Sequence, residues 1–506
     1  MSTAEAAPAA AQGTIVSTNP ATGVPLGEVP IMAPDEVREA VQRARDAQRA
    51  WAELPLKERC RRVKRFANVV MDRADEVIDL LVKEAGKTRQ EALVHEVVVV
   101  ADLVNYFAKR APKILEDEKI PLHLVKNRAS YLHYVPRGVV GVIGPWNFPF
   151  SIPISEVIMA LIAGNGVVLK PSEMTPLIAL KAKELHEAAG LPADLFQVVT
   201  GYGETGAALL DSGIQFCVFT GSVATGRKVA AACGERLIPC TLELGGKAPA
   251  IVCADADLER TAQAIVWGGF ANSGQICCSV ERVYAHEAVH DELLARVVEL
   301  ASELRQGDAE REQVDVGAMT WSRQVEHVDS LVRAAVEAGA KVEVGGARGD
   351  GPGQFFRPTV LSGVRQDMDV MRKEIFGPVV PVMRVRSEGE AIELANDSHL
   401  GLLAYVFTRD RDKGRRIAEE IEAGTVLVND VLASYGYPET PWGGVKESGI
   451  GRTHSAIGLR DMCEIRHINY DRFAGKRELW WYPYTEAGYR RFVKAARFLL
   501  KPKFRG

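Results

Sequence analysis

The chain has 506 residues, of which 47% are apolar and 25% are charged, enough for two or three ordinary globular domains. Its net charge of −4 argues against a nucleic-acid-binding protein, and eight irregularly spaced cysteines argue against a disulfide framework or a zinc site. We therefore expect a cytoplasmic protein that binds no nucleic acid and no metal.

The first residues, 1–13, are rich in alanine and proline and contain no lysine or arginine. They predict a disordered tail rather than a signal peptide. The most apolar stretch, Val97–Val104, contains Asp102, and no run of 18 apolar residues exists. This stretch predicts a buried helix rather than a membrane span.

Helical spacing of apolar residues dominates between Ala33 and Arg110 and predicts an outer helical layer. The segment 120–136 changes to alternating polar and apolar residues, and the segment 463–472 alternates in the same way. Such alternation predicts exposed strands, and each segment alone would be a plain edge hairpin.

Short apolar strands alternate with helices from Val139 to Leu244, and a second α/β pattern continues to about Val445. Strands this apolar suit a parallel sheet that binds a dinucleotide at the carboxyl ends of its strands. The usual glycine fingerprint is absent, and Gly221 and Gly226 are by themselves weak evidence of a phosphate-binding turn. We predict strands at Val139–Ile143, Gly166–Lys170, Phe196–Val199, Gln215–Phe219 and Thr241–Leu244, and helices at Pro176–Ala189, Val223–Cys233, His290–Arg305 and Ser322–Ala338.

Two short stretches carry the residues best suited to chemistry. Thr241-Leu-Glu-Leu-Gly-Gly-Lys-Ala-Pro249 places Glu243 at a strand end, beside a Gly-Gly pair that lets another backbone approach closely. Phe270-Ala-Asn-Ser-Gly-Gln-Ile-Cys-Cys278 places Cys277 after a break in a helical run, 34 residues later. A lowered pKa or a nearby base makes a cysteine nucleophilic, and a glutamate across a pocket can activate water. A lone cysteine would instead be a small buried apolar side chain.

These two stretches and five others occur in the order found in the aldehyde dehydrogenase superfamily, which the chain resembles from about Asn19 to Asp471. The other five are Pro145-Trp-Asn-Phe-Pro149, Leu169-Lys-Pro-Ser-Glu173, Phe219-Thr-Gly-Ser222, Glu374-Ile-Phe-Gly-Pro378 and Pro441-Trp-Gly-Gly-Val-Lys446. The resemblance implies an α/β fold whose domains are a Rossmann-like NAD-binding domain (14–119 and 137–246), a catalytic domain (247–445) and oligomerisation strands (120–136 and 463–472). It also implies a homodimer or homotetramer.

The resemblance further implies NAD-dependent oxidation of an aldehyde to the free carboxylic acid. Cys277 would form a thiohemiacetal and then a thioester, and Asn147 with the Cys277 backbone N–H would stabilise the oxyanion. Glu243 would activate the water that hydrolyses the thioester. Relatives that acylate coenzyme A do not use such a base, so a free acid is the expected product.

Cofactor contacts are implied in the same way. Lys170 and Glu173 would bind the adenosine ribose, where a carboxylate favours NAD over NADP by repelling a 2′-phosphate, although a side-chain rotation could admit both. Gly221 and Ser222 would form the pyrophosphate turn. The full set is Trp146, Lys170, Glu173, Gly221, Ser222, Gly226, Leu244, Glu374 and Phe376.

The positions that match the family's substrate tunnel are mostly apolar, include no arginine and favour an apolar or extended aldehyde. They are Phe148, Ile152, Ser155, Ile276, Cys278, Tyr435 and Trp442. Succinic semialdehyde is the alternative substrate, because the chain also resembles bacterial proteins classed with succinic semialdehyde dehydrogenases. Two positions depart from a common pattern: Glu156 and Thr453 stand where many hydrolytic members have a lysine and a glutamate that relay protons, so the relay stays unassigned.

Two other classes of protein fit less well. A cysteine hydrolase or acyltransferase would need a partnering histidine, and none of the ten histidines matches that role. An inactive binding protein with the same fold would not need Cys277, Glu243 and Asn147 together.

The C-terminal segment 480–506 predicts a basic amphipathic helix, with seven basic residues and one acidic residue from Thr485 to Gly506. Such a helix suits an anionic membrane surface or the mouth of the tunnel, or it packs on its own or a neighbouring subunit. Its apolar positions are Tyr489, Phe492, Val493, Ala496, Leu499 and Leu500.

Overall fold

The computed structural model describes residues 13–473, 476–478 and 480–501. The predicted disordered segment 1–13 therefore lies outside the described residues except for Gly13, as does the end of the predicted tail, 502–506. The strands are β1 Thr14–Thr18, β2 Pro25–Pro30, β3 Glu118–Lys119, β4 Arg128–Pro136, β5 Val139–Ile143, β6 Gly166–Lys170, β7 Phe196–Val198, β8 Phe216–Thr220, β9 Cys240–Glu243, β10 Ala248–Val252, β11 Val280–His286, β12 Lys341–Val344, β13 Thr359–Ser362, β14 Val379–Val385, β15 Leu400–Gly401, β16 Leu403–Phe407, β17 Thr425–Val428, β18 Val445–Lys446, β19 Gly449–Ile450 and β20 Cys463–Asp471.

The α-helices agree with the predicted helical layer and with the four predicted crossover helices. They are α1 Pro34–Glu53, α2 Leu56–Asp72, α3 Ala74–Ala85, α4 Arg89–Glu91, α5 Val99–Ile114, α6 Ser151–Ala163, α7 Pro176–Ala188, α8 Gly203–Asp211, α9 Val223–Glu235, α10 Leu258–Phe270, α11 His290–Ser302, α12 Ser322–Glu337, α13 Asp369–Arg372, α14 Glu388–Asn396, α15 Arg411–Glu420, α16 Ser455–Asp461 and α17 Glu486–Leu500. A π-helical turn, Ala92–Val98, joins α4 to α5. Among the described residues, no helix combines the length and apolarity needed to cross a membrane.

Two compact units form, and the larger one contains the described residues up to Leu115 together with Val135–Glu464. One of its sheets has the strand order β19-β9-β8-β5-β6-β7 and is parallel except for the β19–β9 pair. Every residue of β5 and β6 is buried, as expected for a parallel sheet covered on both faces. The predicted α/β class is confirmed.

A second sheet in the same unit has the order β12-β13-β14-β11-β10-β16-β17 and is parallel except for the β12–β13 pair. Its core includes side chains of α10 and β11, such as Val266, Phe270 and Val280, and it extends to Cys278 and Trp442. The core of this sheet therefore borders the loop that carries Cys277.

Helix α6 is buried along its whole length, which fixes the side chains it presents to the site. The buried carboxylate of Glu96 accepts hydrogen bonds from the backbone N–H groups of Phe150 and Ser151, at 3.2 and 2.6 Å. An anion in this position satisfies N–H groups that have no partner within the helix and interacts favourably with the helix dipole.

The smaller unit contains Glu116–Tyr134 and the described residues from Ile465 onward. Strands β20, β4 and β3 form a three-stranded sheet in this order, so the two predicted alternating segments pair as expected. Arg128 forms ion pairs with Asp471, at 3.2 Å, and with Glu478. The predicted amphipathic helix is present as α17, and none of its residues is buried.

Candidate active site

Cys277 lies on a constrained loop between α10 and β11. Asn272 and Ser273 in this loop adopt positive φ angles of 50° and 55°, a conformation that costs free energy in residues other than glycine. Buried polar groups hold it: Glu91 accepts a hydrogen bond from the Asn272 N–H at 2.6 Å, and the ammonium of Lys87 donates to the Asn272 side-chain oxygen at 2.9 Å. The surroundings thus fix the backbone that presents the thiol.

Gly274 and Gln275 shape the same loop. Gly274 has φ +70°, and a Cβ atom there would lie 2.1 Å from the carbonyl oxygen of Gly377. The Gln275 amide donates to the Asn272 carbonyl at 3.0 Å and accepts from the Thr320 N–H at 2.9 Å. Both residues therefore have a structural role two and three positions before the thiol.

Asn147 is held against this loop by two hydrogen bonds. Its side-chain nitrogen donates to the Gln275 carbonyl at 2.9 Å, and its own carbonyl accepts from the Asn272 side chain at 3.0 Å. A primary amide has two N–H groups, so one donor of Asn147 remains for another acceptor. The structure thus brings the predicted oxyanion donor to the loop of the predicted nucleophile.

Glu243 lies at the carboxyl end of β9, and its backbone carbonyl accepts a hydrogen bond from the Gly221 N–H at 3.0 Å. The glycine pair that follows it permits a close approach. A Cβ atom on Gly246 would lie 1.9 Å from the Cys277 carbonyl oxygen, and one on Gly245 would lie 2.6 Å from a carboxylate oxygen of Glu374. The expectation that this pair lets another backbone approach is confirmed.

Cys277 and Glu243 both line one cavity of about 280 Å³. Six of the seven predicted tunnel residues line it as well, while Ser155 does not: Ser155 is fully buried and lies near Tyr435. The lining residues are Val94, His95, Val99, Phe148, Ile152, Glu156, Thr220, Glu243, Leu244, Trp267, Ile276, Cys277, Cys278, Leu402, Leu432, Ala433, Tyr435, Gly436, Trp442 and Thr453.

The surroundings favour the neutral forms of the Glu243 carboxyl group and the Cys277 thiol. The pKa of Glu243 lies well above its ordinary value because burial penalises the carboxylate and Glu156 adds a nearby negative charge, while Arg452 and the Trp442 indole act in the opposite direction. The pKa of the Cys277 thiol is also raised, first by its interaction with Cys278, then by burial and by the charges of Glu374 and Glu243. The neutral thiol must therefore lose its proton before the sulfur can act as a nucleophile.

Three of the predicted cofactor residues, Trp146, Glu374 and Phe376, lie near one another. Glu374 accepts a hydrogen bond from the Gly246 N–H at 2.9 Å, and burial beside Glu281 raises its pKa to about 8. The rings of Trp146 and Phe376 meet edge to face with 5.3 Å between their centroids. Sequence reasoning missed Glu281, whose carboxylate accepts a hydrogen bond from the Phe376 N–H at 2.7 Å and so holds this segment.

The residues predicted to contact the adenosine and the phosphates lie along the sheet with the strand order β19-β9-β8-β5-β6-β7. Lys170 ends β6, and its ammonium lies 3.6 Å from the Glu173 carboxylate. Ser222 caps helix α9 by accepting a hydrogen bond from the Thr225 N–H at 3.3 Å. Gly226 packs against the predicted cofactor residue Leu244, since a Cβ atom on this glycine would lie 2.4 Å from a Leu244 methyl carbon.

Several site residues were not predicted, and His95 is the clearest case. It lies on the π-helical turn, lines the cavity and packs its ring near those of Phe148 and Trp267. Its Nδ1 atom has no hydrogen-bond partner among the described residues, and burial lowers its pKa to about 4. A π-helical turn often marks a functional site, but nothing in an apolar helical pattern signals one.

The fold and this cavity define an α/β enzyme that pairs a half-buried thiol with a buried carboxylate beside a parallel sheet of the nucleotide-binding type. Residues 8–468 match the family described as the aldehyde dehydrogenase family, and the chain belongs to this family. It is accordingly an oxidoreductase that acts on aldehydes.

Individual relatives agree with this assignment. The chain is 39% identical over 485 residues to a 4,4'-diapolycopene aldehyde oxidase of Methylomonas sp, which covers 95% of this chain and 90% of the relative. It is 40% identical over 453 residues to a putative succinate-semialdehyde dehydrogenase [NADP(+)] of Mycolicibacterium smegmatis, and the match covers 89% of this chain and 87% of the relative. The NAD+ complex of an aldehyde dehydrogenase from Bacillus cereus superposes with a TM-score of 0.87 at 34% identity. The match covers 91% of this chain and 93% of that structure.

Proposed function

We propose that this enzyme oxidises an apolar aldehyde to the free carboxylic acid with NAD, using Cys277 as the nucleophile and Glu243 as the base. The observation that carries the proposal is the shared cavity: the thiol, the carboxylate and a wall of apolar side chains line a single space of about 280 Å³. Asn147 stands beside the same loop with one N–H group to spare.

The described residues fit a dinucleotide. The ammonium of Lys170 is buried and donates to the Pro171 carbonyl at 2.8 Å, which leaves further N–H groups for ribose hydroxyls. The N-terminus of α9, 13 residues long, provides backbone N–H groups and a positive dipole end for phosphates. Glu374 and Phe376 would hold the nicotinamide end. NAD, when bound, supplies the hydride acceptor through which the substrate carbon reaches the oxidation level of an acid.

The chain's own residues perform the other steps. The Cys277 thiol loses its proton to solvent. Its sulfur then bonds to the aldehyde carbon, and the C=O π electrons move to the oxygen, which becomes an oxyanion. The free N–H of Asn147 and the Cys277 backbone N–H stabilise that oxyanion, a contribution of about 3–4 kcal/mol for one such donor. After the carbon has become a thioester, Glu243 accepts a proton from water as the water oxygen attacks, the carbon–sulfur bond breaks and the acid leaves.

NAD is favoured over NADP because of Glu173. Its carboxylate is partly exposed and lies beside the buried ammonium of Lys170, where the second ribose hydroxyl would bind. A 2′-phosphate would meet this negative charge. The Mycolicibacterium relative is named for NADP+, so the preference is a property we propose for this chain.

The cavity favours an uncharged aldehyde. Of the described residues that line it, none is an arginine or a lysine, and His95 stays neutral near pH 7 because burial lowers its pKa to about 4. A substrate with a second carboxylate, such as succinic semialdehyde, would find no cation and would face Glu156 and Glu243. The two relatives are named for different aldehydes, and this wall supports the apolar alternative.

An aldehyde panel tests the proposal directly. NADH formation should be fastest with medium or long apolar aldehydes and much slower with succinic semialdehyde, and the product should be the acid. A higher kcat/KM for succinic semialdehyde would refute the proposed substrate class. The absence of NADH and NADPH formation with every aldehyde would refute the proposed reaction.

We further propose a cytoplasmic homo-oligomer whose helix α17 contacts a surface outside its own chain. The helix exposes apolar residues such as Phe492 and Leu499 together with basic ones such as Arg490. Deleting 485–506 distinguishes two surfaces. If the truncated protein no longer co-sediments with anionic liposomes, α17 contacts a membrane surface. If co-sedimentation is unchanged but the oligomer is less stable, α17 contacts a neighbouring subunit.

A further inference from the structure

A polar, buried group of residues forms part of the cavity wall, and the proposed reaction has not yet used it. Glu156 lines the cavity with Thr453, whose hydroxyl donates to one carboxylate oxygen of Glu156 at 2.5 Å. The ring of Tyr435, also in the wall, packs at a tilt of 47° against the fully buried imidazole of His454, with 4.5 Å between the centroids. We call the cavity-lining residues Glu156, Tyr435 and Thr453, together with Ser155 and His454, which are buried next to Tyr435, the polar wall.

Several polar atoms of the polar wall have no partner. Among the described residues, no hydrogen-bond partner exists for the second Glu156 oxygen or for either His454 nitrogen. Buried polar atoms are nearly always hydrogen-bonded, to protein or to ordered water. Because Glu156 and Glu243 both line a cavity of about 280 Å³, there is room for water to bridge the two carboxyl groups.

The backbone keeps the two carboxyl groups in one site. Thr453 and Trp442 exchange two backbone hydrogen bonds, both of 2.9 Å, and Trp442 lines the cavity next to Glu243. Strand β19 ends three residues before Thr453 along the chain and pairs with β9, so that Gly449 lies opposite Glu243. The residue that holds Glu156 and the strand that carries Glu243 therefore belong to one connected unit of backbone.

We propose that Glu156 and Glu243 form a proton-sharing carboxyl pair, in which Glu156 receives the proton that Glu243 takes from the hydrolytic water. The inference rests on the proposed function, since it assigns the fate of the proton in thioester hydrolysis. Glu156 acts through Glu243 and is a positioning residue.

Water attacks the thioester carbon, one water proton moves to the Glu243 carboxylate, and the carbon–sulfur bond breaks to release the acid and the Cys277 thiolate. Protonated Glu243 then passes its proton through ordered water to the Glu156 carboxylate, which regenerates the base. Glu156 returns the proton to solvent or to the thiolate before the next turnover, so no other reactant is needed.

The charges around the pair suit this exchange. Burial raises the pKa of Glu156 to about 7, against the opposing effect of the Thr453 hydroxyl, so this carboxyl gains and loses a proton near neutral pH. The negative charge of Glu156 in turn raises the pKa of Glu243. Two carboxyl groups that interact in this way titrate as a pair with two apparent pKa values.

The other titratable groups that face the pair do not disturb it near neutral pH. Burial and the charge of Glu156 raise the pKa of Tyr435, so its phenol stays neutral. Burial lowers the pKa of His454 to about 3, so its imidazole is neutral as well. The raised pKa keeps Cys277 protonated before the reaction, and Arg452 supplies a positive charge that favours the Glu243 carboxylate.

The decisive experiment measures kcat against pH together with the pre-steady-state burst of NADH. In the wild type kcat should rise with pH as the pair loses the proton that keeps Glu243 neutral, and the raised pKa of Glu243 places this rise well above the ordinary pH range of a carboxyl group. Glu156→Gln removes the negative charge that raises the pKa of Glu243, so the rise in kcat should move to lower pH. The plateau of kcat should fall by about tenfold, while the burst of NADH remains. Glu156→Asp keeps a carboxyl group and should restore part of the plateau.

A second variant should shift the pH dependence of kcat in the opposite direction. Thr453→Val removes the hydroxyl that stabilises the Glu156 anion, which raises the pKa of Glu156, so the rise in kcat should move to higher pH. Glu84→Gln is the matched control, because Glu84 is also buried with a pKa raised to about 7 but binds Ser17 and the backbone of α7 away from the cavity. Its profile should equal that of the wild type.

The inference is overturned if Glu156→Gln and Thr453→Val leave the pH profile and the plateau unchanged, or if Glu84→Gln shifts them in the same way. These results differ from a failure of the proposed function, in which the wild type itself would form no NADH from any aldehyde. The unfolding temperature of each variant is compared with that of the wild type, because an unchanged value shows that the loss of activity does not come from misfolding.

Discussion

The close approach of Gly246 to the Cys277 loop makes Gly246→Ala a sharp test of the site geometry. A Cβ atom at this position would lie 1.9 Å from the Cys277 carbonyl oxygen and 3.1 Å from the carbonyl carbon. Since carbon and oxygen atoms in contact stay about 3.3 Å apart, one of the two loops must move by about 1.4 Å. A displacement of about 1 Å at a reacting group costs on the order of 100-fold in rate.

The assay compares kcat for NADH formation with the temperature of unfolding. We expect Gly246→Ala to lose about 100-fold in kcat, with an overpacking cost of about 1–3 kcal/mol in stability. The control is Gly234→Ala in helix α9, where a Cβ atom would meet nothing within 4 Å. This control should keep its activity and gain up to about 1 kcal/mol of stability. Wild-type kcat in Gly246→Ala would show that the glycine pair does not position the thiol.

Two further predictions concern the nucleophile and the cofactor. Cys277→Ser should abolish NADH formation, whereas Cys278→Ser should keep most of it; inactivity of the Cys278 variant alone would mean that the nucleophile is misassigned. Glu173→Ser should lower or reverse the ratio of kcat/KM for NAD to that for NADP, because it removes a negative charge from the place where a 2′-phosphate would bind. Equal efficiency with both nucleotides in the wild type would contradict the role given to Glu173.

Strongly apolar strands could be predicted from the sequence almost residue by residue. Strands β5 and β6 are five-residue apolar runs buried on both faces, and their predicted ends agree with the structure. Strands β8 and β9 begin and end one residue away from their predicted bounds, because hydrogen bonding sets a strand's end and composition does not. The parallel α/β class followed from these runs, since only a sheet covered on both faces has strands of this kind.

The polar side of the site was harder to predict. Helix α6 is apolar around its whole circumference and fully buried, so periodicity alone could not show that Glu156 faces the cavity. His95 was missed because a π-helical turn shifts the side chains away from ordinary helical spacing. Buried partners such as Lys87 and Glu96, whose ion pair measures 3.4 Å, come from distant contacts that a local pattern does not contain.

The central claim is that a thioester forms on Cys277 and that Glu243 is needed to hydrolyse it. Glu243→Gln incubated with NAD and an apolar aldehyde should give one burst of NADH, followed by little turnover, because the acyl group stays bound. Mass spectrometry of the digested protein should then find the acyl group on Cys277. Full steady turnover of this variant, an acyl group on Cys278, or an unmodified Cys277 after the burst would contradict the account.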